Sequence, residues 1–258
     1  MKAFSFFSGK GGVGKSTLTL IFASYLSFLL NLKVLVLDME KPDGRLMPFR
    51  EKDIKQLNTE GSLLYNYAKS HRMPHPDSYY NIEGYGLAVG EYTPEKVRSF
   101  VAGLKLVKDK GPWDVLLLDF PARYGDNLPV HLLAKEGFLD GVYVPTGLEQ
   151  QERRSACITA IGLSSCGVKT RVLWNDIDVD IIRRVRPLDL AEQDTAFLAK
   201  YGVSYSPTRI KHFRKATQST DNPCFVRSTI CWPDQYVRMW CPELITLFEE
   251  ICQLLEIR

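Results

Sequence analysis

What the sequence withholds narrows its class first. Its six cysteines stand at 157, 166, 224, 231, 241 and 252, and no two are three positions apart. The C-x-x-C pairs of zinc ribbons and of many iron–sulfur sites are therefore missing, and the thiols read as reduced and buried in a cytoplasmic protein. Long apolar runs are missing too. The longest, Leu18 to Leu30, contains Thr, Ser and Tyr and is too short to span a bilayer. The N-terminus carries one Lys and a short apolar run that stops at Gly9, which is not the pattern of a signal peptide. Charge of one sign is scarce as well. A formal net charge of +3 cannot by itself indicate a nucleic-acid binder, so any DNA contact has to come from a local patch. There is no repeat, low-complexity tract or linker. With 258 residues, 45% hydrophobic and 24% charged, the expectation is a single globular domain over 1–258.

What is present is an alternation. Ala3 to Phe7 is a short apolar run before a Gly-rich turn and reads as a buried strand. Ser16 to Leu30, without Gly or Pro, reads as a buried helix. "KVLVLD" (33–38) is a second buried strand that ends on a carboxylate, and Pro42, Asp43 and Gly44 supply turn chemistry after it. A short helix is expected over Ser62 to Lys69 and a third strand around Tyr85 to Val89. In "TPEKVRSFVAGLKLVKDKG", Thr93 is a candidate N-cap, Pro94 occupies the first helical position and Gly111 is a stop. "WDVLLLDFP" is the most apolar strand and again closes on Asp; "DGVYVPT" and "KTRVLWND" continue the series. A last helix is expected near Pro242 to Glu256. Continuous apolar strands alternating with helices predict an α/β fold, a mostly parallel central sheet with helices on both faces in three layers. In such sheets ligands gather at the carboxyl ends of the strands, where Asp38, Asp119 and Asn175 fall.

The stretch S8-G-K-G-G-V-G-K-S-T17 carries the clearest chemistry. Gly9-x4-Gly14-Lys15-Ser16 fits the phosphate-binding loop, and it lies between a strand and a helix as that loop requires. Gly11, Gly12, Val13 and Gly14 would offer backbone N–H groups to phosphate oxygens, and the helix start after them adds positive potential. Lys15 would reach the β- and γ-phosphates of ATP or the β-phosphate of ADP. The Ser16 hydroxyl would bind Mg²⁺, and Thr17 completes the nucleotide-binding stretch. Asp119, at the end of "LLLD", is placed to hold the metal through water. Of Asp38 and Glu40, one would orient metal-bound water and the other would position or activate the attacking water. A phosphate-binding loop needs one lysine, which leaves Lys10 unexplained.

"KGGVGKST" resembles the deviant Walker A motif of the ParA/MinD family, within the SIMIBI class of P-loop NTPases, where an extra lysine precedes the glycines. "KVLVLDMEKPDG" looks like that family's switch I segment, and "WDVLLLDFPARYGD" resembles its Walker B and switch II. "DGVYVPTGLEQQERRS" is similar to its next strand and helix, and "GVSYSPTRIKHFRKATQSTDNP" to its late segment. The resemblance covers most of the chain. It implies an ATP-dependent homodimer with ATP between the subunits and Lys10 crossing to the partner's phosphates, as an arginine finger does elsewhere. It also implies an adenine contact from Asn175. Glu40 departs from the family's second aspartate. The longer stem moves the carboxylate, and displacements near 1 Å cost about 100-fold in rate, so slow or partner-dependent hydrolysis is expected.

The family's branches imply different work. DNA partitioning needs basic patches, which Arg183, Arg184 and Arg186, with Lys211, His212, Arg214 and Lys215, supply for non-specific DNA. Membrane-bound cell-division regulation needs a basic amphipathic C-terminal helix. "PELITLFEEICQLLEIR" instead has acids at 243, 249, 250 and 256, and Leu244, Leu247, Phe248, Ile251, Leu254 and Leu255 read as packing residues, so no membrane contact is expected. A ligase akin to dethiobiotin synthetase shares the loop, but residues 60 to 110 show no small-substrate pocket. The expectation is a cytoplasmic ParA-like ATPase that partitions a plasmid or mobile element or positions cargo, with a protein activator or cargo adaptor. The alternative is an adaptor in which ATP gates partner binding with negligible turnover.

Overall fold

The computed structural model describes residues 1–40, 46, 51, 55, 58–60, 69, 80–87, 93–122, 129–177, 194–211 and 242–257. Along the chain run β1 (Lys2–Phe6), α1 (Lys15–Phe28), β2 (Val34–Glu40), β3 (Asn81–Leu87), α2 (Pro94–Lys110) and β4 (Val115–Asp119). They are followed by α3 (Pro129–Lys135), β5 (Gly141–Thr146), α4 (Gln150–Ser164), β6 (Lys169–Ile177), β7 (Ser204–Lys211) and α5 (Pro242–Leu255). The strands form one seven-stranded sheet in the order β3-β2-β4-β1-β5-β6-β7, and every pairing in it is parallel. The expected α/β architecture is the observed one.

Side chains alternate across each strand, so the two faces of the sheet bury different helices. Phe4, Phe6, Val34, Val36, Val115, Leu117 and Tyr143 pack with α1 and α5. Ala3, Leu35, Leu37, Leu116, Leu118, Val142 and Val144 pack with α2, α3 and α4. An aromatic group fixes the first layer: Phe4 and Phe6 lie 5.0 Å apart edge to face, and Phe22 of α1 lies 5.0 Å from Phe248 of α5. α5 sinks Leu244, Leu247, Phe248, Ile251 and Leu255 into this layer, with Leu254 partly buried.

Local signals placed the helix ends well. The Thr93 hydroxyl accepts from Lys96 N at 3.4 Å, Pro94 opens α2 and Gly111 caps its end. α1 ends at Phe28, two residues before Leu30, because the chain reverses through Asn31 at φ 53°. β3 starts earlier than expected, at Asn81, because β2 offers it a ladder from Leu35 onward. α3 and β7 were not expected from the sequence. β7 is an edge strand with alternating burial and an exposed Pro207, a residue tolerated at edges. The helix expected at Ser62 to Lys69 lies outside the described residues except for Lys69, as do Arg183, Arg184, Arg186, His212, Arg214 and Lys215. Cys157 and Cys252 are buried and Cys166 is partly so, all three as free thiols; Cys224, Cys231 and Cys241 lie outside. Among the described residues, no helix is long and apolar enough to cross a membrane.

What matters for the site is the position of β1. Strands β2, β3 and β4 lie on one side of it and β5, β6 and β7 on the other, so the order reverses at β1 and opens a crevice at its carboxyl end. The glycine loop leaves from that point.

Candidate functional site

β1 is buried from Ala3 onward, and the chain leaves it as a run of bends from Gly9 to Gly14 before α1 begins. Two glycines make that turn possible. Gly12 sits at φ 78° and Gly14 at φ 83°, in the left-handed region that side chains resist. Gly14 is also the N-cap of α1, which has no side-chain cap and no acid in its first turn. The first N–H groups of this 14-residue helix therefore face the loop with no side chain capping them. A Cβ on Gly14 would lie 2.6 Å from the Asn175 amide nitrogen, so the loop fits against β6 only without one.

Asn175 is buried near the end of β6, and its Nδ2 donates to Val13 O at 2.8 Å. The structure thus uses this amide to brace the loop from the far side of the sheet. Lys15 is buried despite its charge, and its Nζ donates to Lys10 O at 2.8 Å, a main-chain oxygen of the loop itself. Ser16 is partly exposed and Thr17, Gly11 and Gly12 are exposed, so the loop's outer side is open. Lys10 N donates to the Ser8 hydroxyl at 3.3 Å.

Asp38 and Asp119 face each other across β2 and β4 as directly paired positions, and both are buried. Asp38 Oδ2 accepts from Leu46 N at 2.8 Å. Two buried carboxylates side by side repel unless a cation or a proton separates them. Carboxylate oxygens are hard donors of the kind that suit Mg²⁺, an ion usually held by one or two carboxylates plus substrate phosphates. Among the described residues there is no group of three or more His, Cys, Asp or Glu able to hold a metal ion. Glu40 is the last residue of β2, just past a register shift between Asp38 and Glu40 in the pairing with β3.

The place of the Lys10 side chain was not legible in the sequence. Its Nζ is ion-paired with Glu152 in the first turn of α4 and lies 3.9 Å from Glu149, the N-cap of that helix. Arg153, next along, is buried and fastens the start of α4. Its Nε donates to Asp194 at 3.0 Å and its Nη1 to Leu148 O at 2.8 Å. Asp194 also accepts from Tyr205, whose ring stacks on Trp174, the residue before Asn175. Burial first, and the neighbouring Cys157 second, raise the Tyr205 phenol well above its usual range, so it stays a hydrogen-bond donor. An acid at the start of a helix two strands away was the one available signal for Glu152, and nothing in the chain marks it as a partner for residue 10.

Of the residues expected at the site, the structure brings Lys10, Gly11, Gly12, Val13, Gly14, Lys15, Ser16, Thr17, Asp38, Glu40, Asp119 and Asn175 to the carboxyl end of the sheet. Lys211 closes β7 and pairs with Glu243 of α5.

Residues 4–181 match the family profile described as the CobQ/CobB/MinD/ParA nucleotide binding domain, more than half the chain. No curated protein sequence matches. Among solved structures, the MinD cell division protein of Aquifex aeolicus shares the fold at a TM-score of 0.63 and 19% identity, over 98% of this chain and 97% of that one. A McdA–ATP complex from Cyanothece gives 0.58 and 14%, over 100% and 97%. A putative plasmid partition protein of Borrelia burgdorferi bound to AMPPNP gives 0.55 and 16%, over 97% and 98%. At these identities the likeness speaks for the fold.

Proposed function

The chain belongs to the CobQ/CobB/MinD/ParA nucleotide-binding family, and from that premise we propose that all 258 residues act as one P-loop ATPase domain of the ParA type. It binds Mg-ATP, closes on a second copy around the nucleotide, and hydrolyses it slowly to partition DNA or position another cargo. The observation that carries this reading is the pair of buried carboxylates, Asp38 and Asp119, abreast near the ends of two strands, with a buried lysine in the glycine loop. Those parts together serve a metal-bound nucleoside triphosphate.

Each residue has a distinct task. Gly11, Gly12, Val13 and Gly14 present main-chain N–H groups to the phosphates, with Ser16 and Thr17 at the helix start. Lys15 exchanges the Lys10 carbonyl for phosphate oxygens, which is a small movement for an amine already buried in the loop. Bound Mg²⁺ would neutralise charge that builds on the phosphates, and Ser16, Asp38 and Asp119 are the groups to hold it, the carboxylates through water. Asp38 and Glu40 share the placement of the attacking water. Glu40, one methylene longer than the aspartate of the family pattern, favours slow hydrolysis that an activator accelerates. Asn175, already braced on Val13, would contact the base. Lys10 has no phosphate role within its own subunit and would act on the partner's.

Arg183, Arg184, Arg186, Lys211, His212, Arg214 and Lys215 are the proposed source of non-specific DNA contacts. α5 turns its apolar stripe into the core, which supports reading it as a packing helix and the cargo as one that does not require a membrane. Glu40 also favours a second reading, an adaptor whose dimer is gated by ATP with negligible turnover. ATP hydrolysis measured with and without duplex DNA separates the two. Slow turnover that DNA or a partner raises supports the ATPase; a dimer that forms on ATP but never hydrolyses it supports the adaptor. Rapid turnover by the protein alone contradicts the role given to Glu40.

A further inference from the structure

Resting on the reading above that basic residues of the C-terminal half meet DNA, we propose that Glu243 competes with DNA phosphate for Lys211. Its carboxylate occupies the lysine when no DNA is bound, and so holds down the affinity of the basic run that begins there. In the sequence that run is Lys211, His212, Arg214 and Lys215. Lys211 closes β7, and its Nζ is ion-paired with Glu243 in the first turn of α5. A duplex phosphate that takes Lys211 therefore displaces a carboxylate of the protein itself, which a free surface lysine would not require.

The carboxylate is the fixed member of the pair. Glu243 has 23% of its side chain exposed, against 51% for Lys211. The N–H groups of a first helical turn also favour a negative charge where Glu243 stands. α5 is anchored along its length: Glu250 accepts from Tyr143, Ser206 and Thr208 and is ion-paired with Arg171. At the far end of the helix, Lys169 Nζ donates to Leu254 O at 2.8 Å. The surroundings of Lys211 act in the same direction. A cleft of about 680 Å³ is lined by Arg209 and Lys211 from β7 and by Glu243, Glu249 and Glu250 from α5. Arg171 balances Glu250, so two acids remain against two cations, and the cleft offers a duplex no net positive charge. A partly exposed Lys–Glu contact shifts an equilibrium by about fivefold at most. That is enough to weaken the hold on DNA and too little to prevent it.

The test is the fluorescence anisotropy of a labelled random-sequence duplex, titrated with the full chain and Mg-ATP over a series of salt concentrations. Glu243→Gln should raise DNA affinity about twofold to fivefold. It should also steepen the slope of log affinity against log salt by about 0.9, the mark of one more phosphate contact. In a Lys211→Ala background the same substitution should leave affinity and slope unchanged. Glu249→Gln, which removes an acid from the cleft without releasing Lys211, should keep the wild-type slope. If wild type binds DNA and Glu243→Gln matches it in affinity and slope, the competition is wrong and the DNA reading survives. An equal gain from Glu243→Gln without Lys211, or from Glu249→Gln, would mean general repulsion and overturn it too. If wild type and every variant fail to bind duplex, the DNA reading falls and the competition with it.

Discussion

Two carboxylates on two helices each receive a cation in this molecule, and they could hardly be used more differently. Glu250 of α5 accepts from Tyr143 at 2.6 Å, Ser206 at 2.8 Å and Thr208 at 3.0 Å, and is ion-paired with Arg171. Its four donors come from β5, β6 and β7, so one side chain fastens α5 across three strands. Burial and then Glu250 itself push the Tyr143 phenol far above its usual range, which keeps its proton in the bond. Glu152 of α4 is ion-paired with one lysine, Lys10 of the glycine loop. A carboxylate saturated by donors from a rigid sheet is a clamp. One that holds a half-exposed lysine on a glycine loop is a catch that can be released. The chemistry is the same in both; the number of donors and the stiffness of what carries them decide the outcome.

Lys15→Ala should have the largest effect, a fall in ATP affinity of about 100-fold or more by titration calorimetry, because a buried charge built for phosphate is gone. Unfolding by urea should then separate clamp from catch. Glu250→Ala strands Arg171 and three hydroxyls and should cost about 3 kcal/mol, whereas Glu152→Gln should stay within about 1 kcal/mol of wild type. Equal losses would mean that the two sites are the same kind of structure. Gly14→Ala places a side chain at φ 83° and 2.6 Å from the Asn175 amide, and about 1–2 kcal/mol of stability should go with it.

Stability should also depend on pH. Burial, and then the charge of Glu249, push the Cys252 thiol from 9.0 up to about 12. Between those values the unfolded chain gives up a proton that the folded chain keeps, so stability falls as pH rises and is fully present below 9. The slope for one such group is about 1.4 kcal/mol per pH unit. Cys157, also raised by burial, adds to it. Urea midpoints at pH 8.5 and 10 should show the decline, and Cys252→Ala should lessen it, leaving the part that Cys157 supplies.

The sequence was most legible where a local rule governs. The glycine loop, the apolar strands before Asp38 and Asp119, and the Thr93–Pro94–Gly111 punctuation of α2 each follow from residues within a few positions of one another. β7 was missed because it is an edge strand that alternates burial around a proline, and Lys211 at its end was read as part of a basic patch. α3 was missed because seven residues carry too little periodicity to register. Glu152 and Glu250 were illegible for a deeper reason. Their partners lie 142 and as far as 107 positions away, and only the sheet order brings them together. The motif identified a nucleotide site; what the extra lysine does while it waits required the fold.

In the proposed function, Lys15 serves its own nucleotide and Lys10 serves another copy's. Sedimentation of wild type, Lys10→Ala and Lys15→Ala with Mg²⁺ and ATP, with nucleotide binding measured on the same samples, tests it most directly. The expected results are a dimer for wild type, a monomer that still binds ATP for Lys10→Ala, and ATP binding weakened about 100-fold or more for Lys15→Ala. A Lys10→Ala protein that dimerises like wild type, or that fails to bind ATP at all, would contradict it.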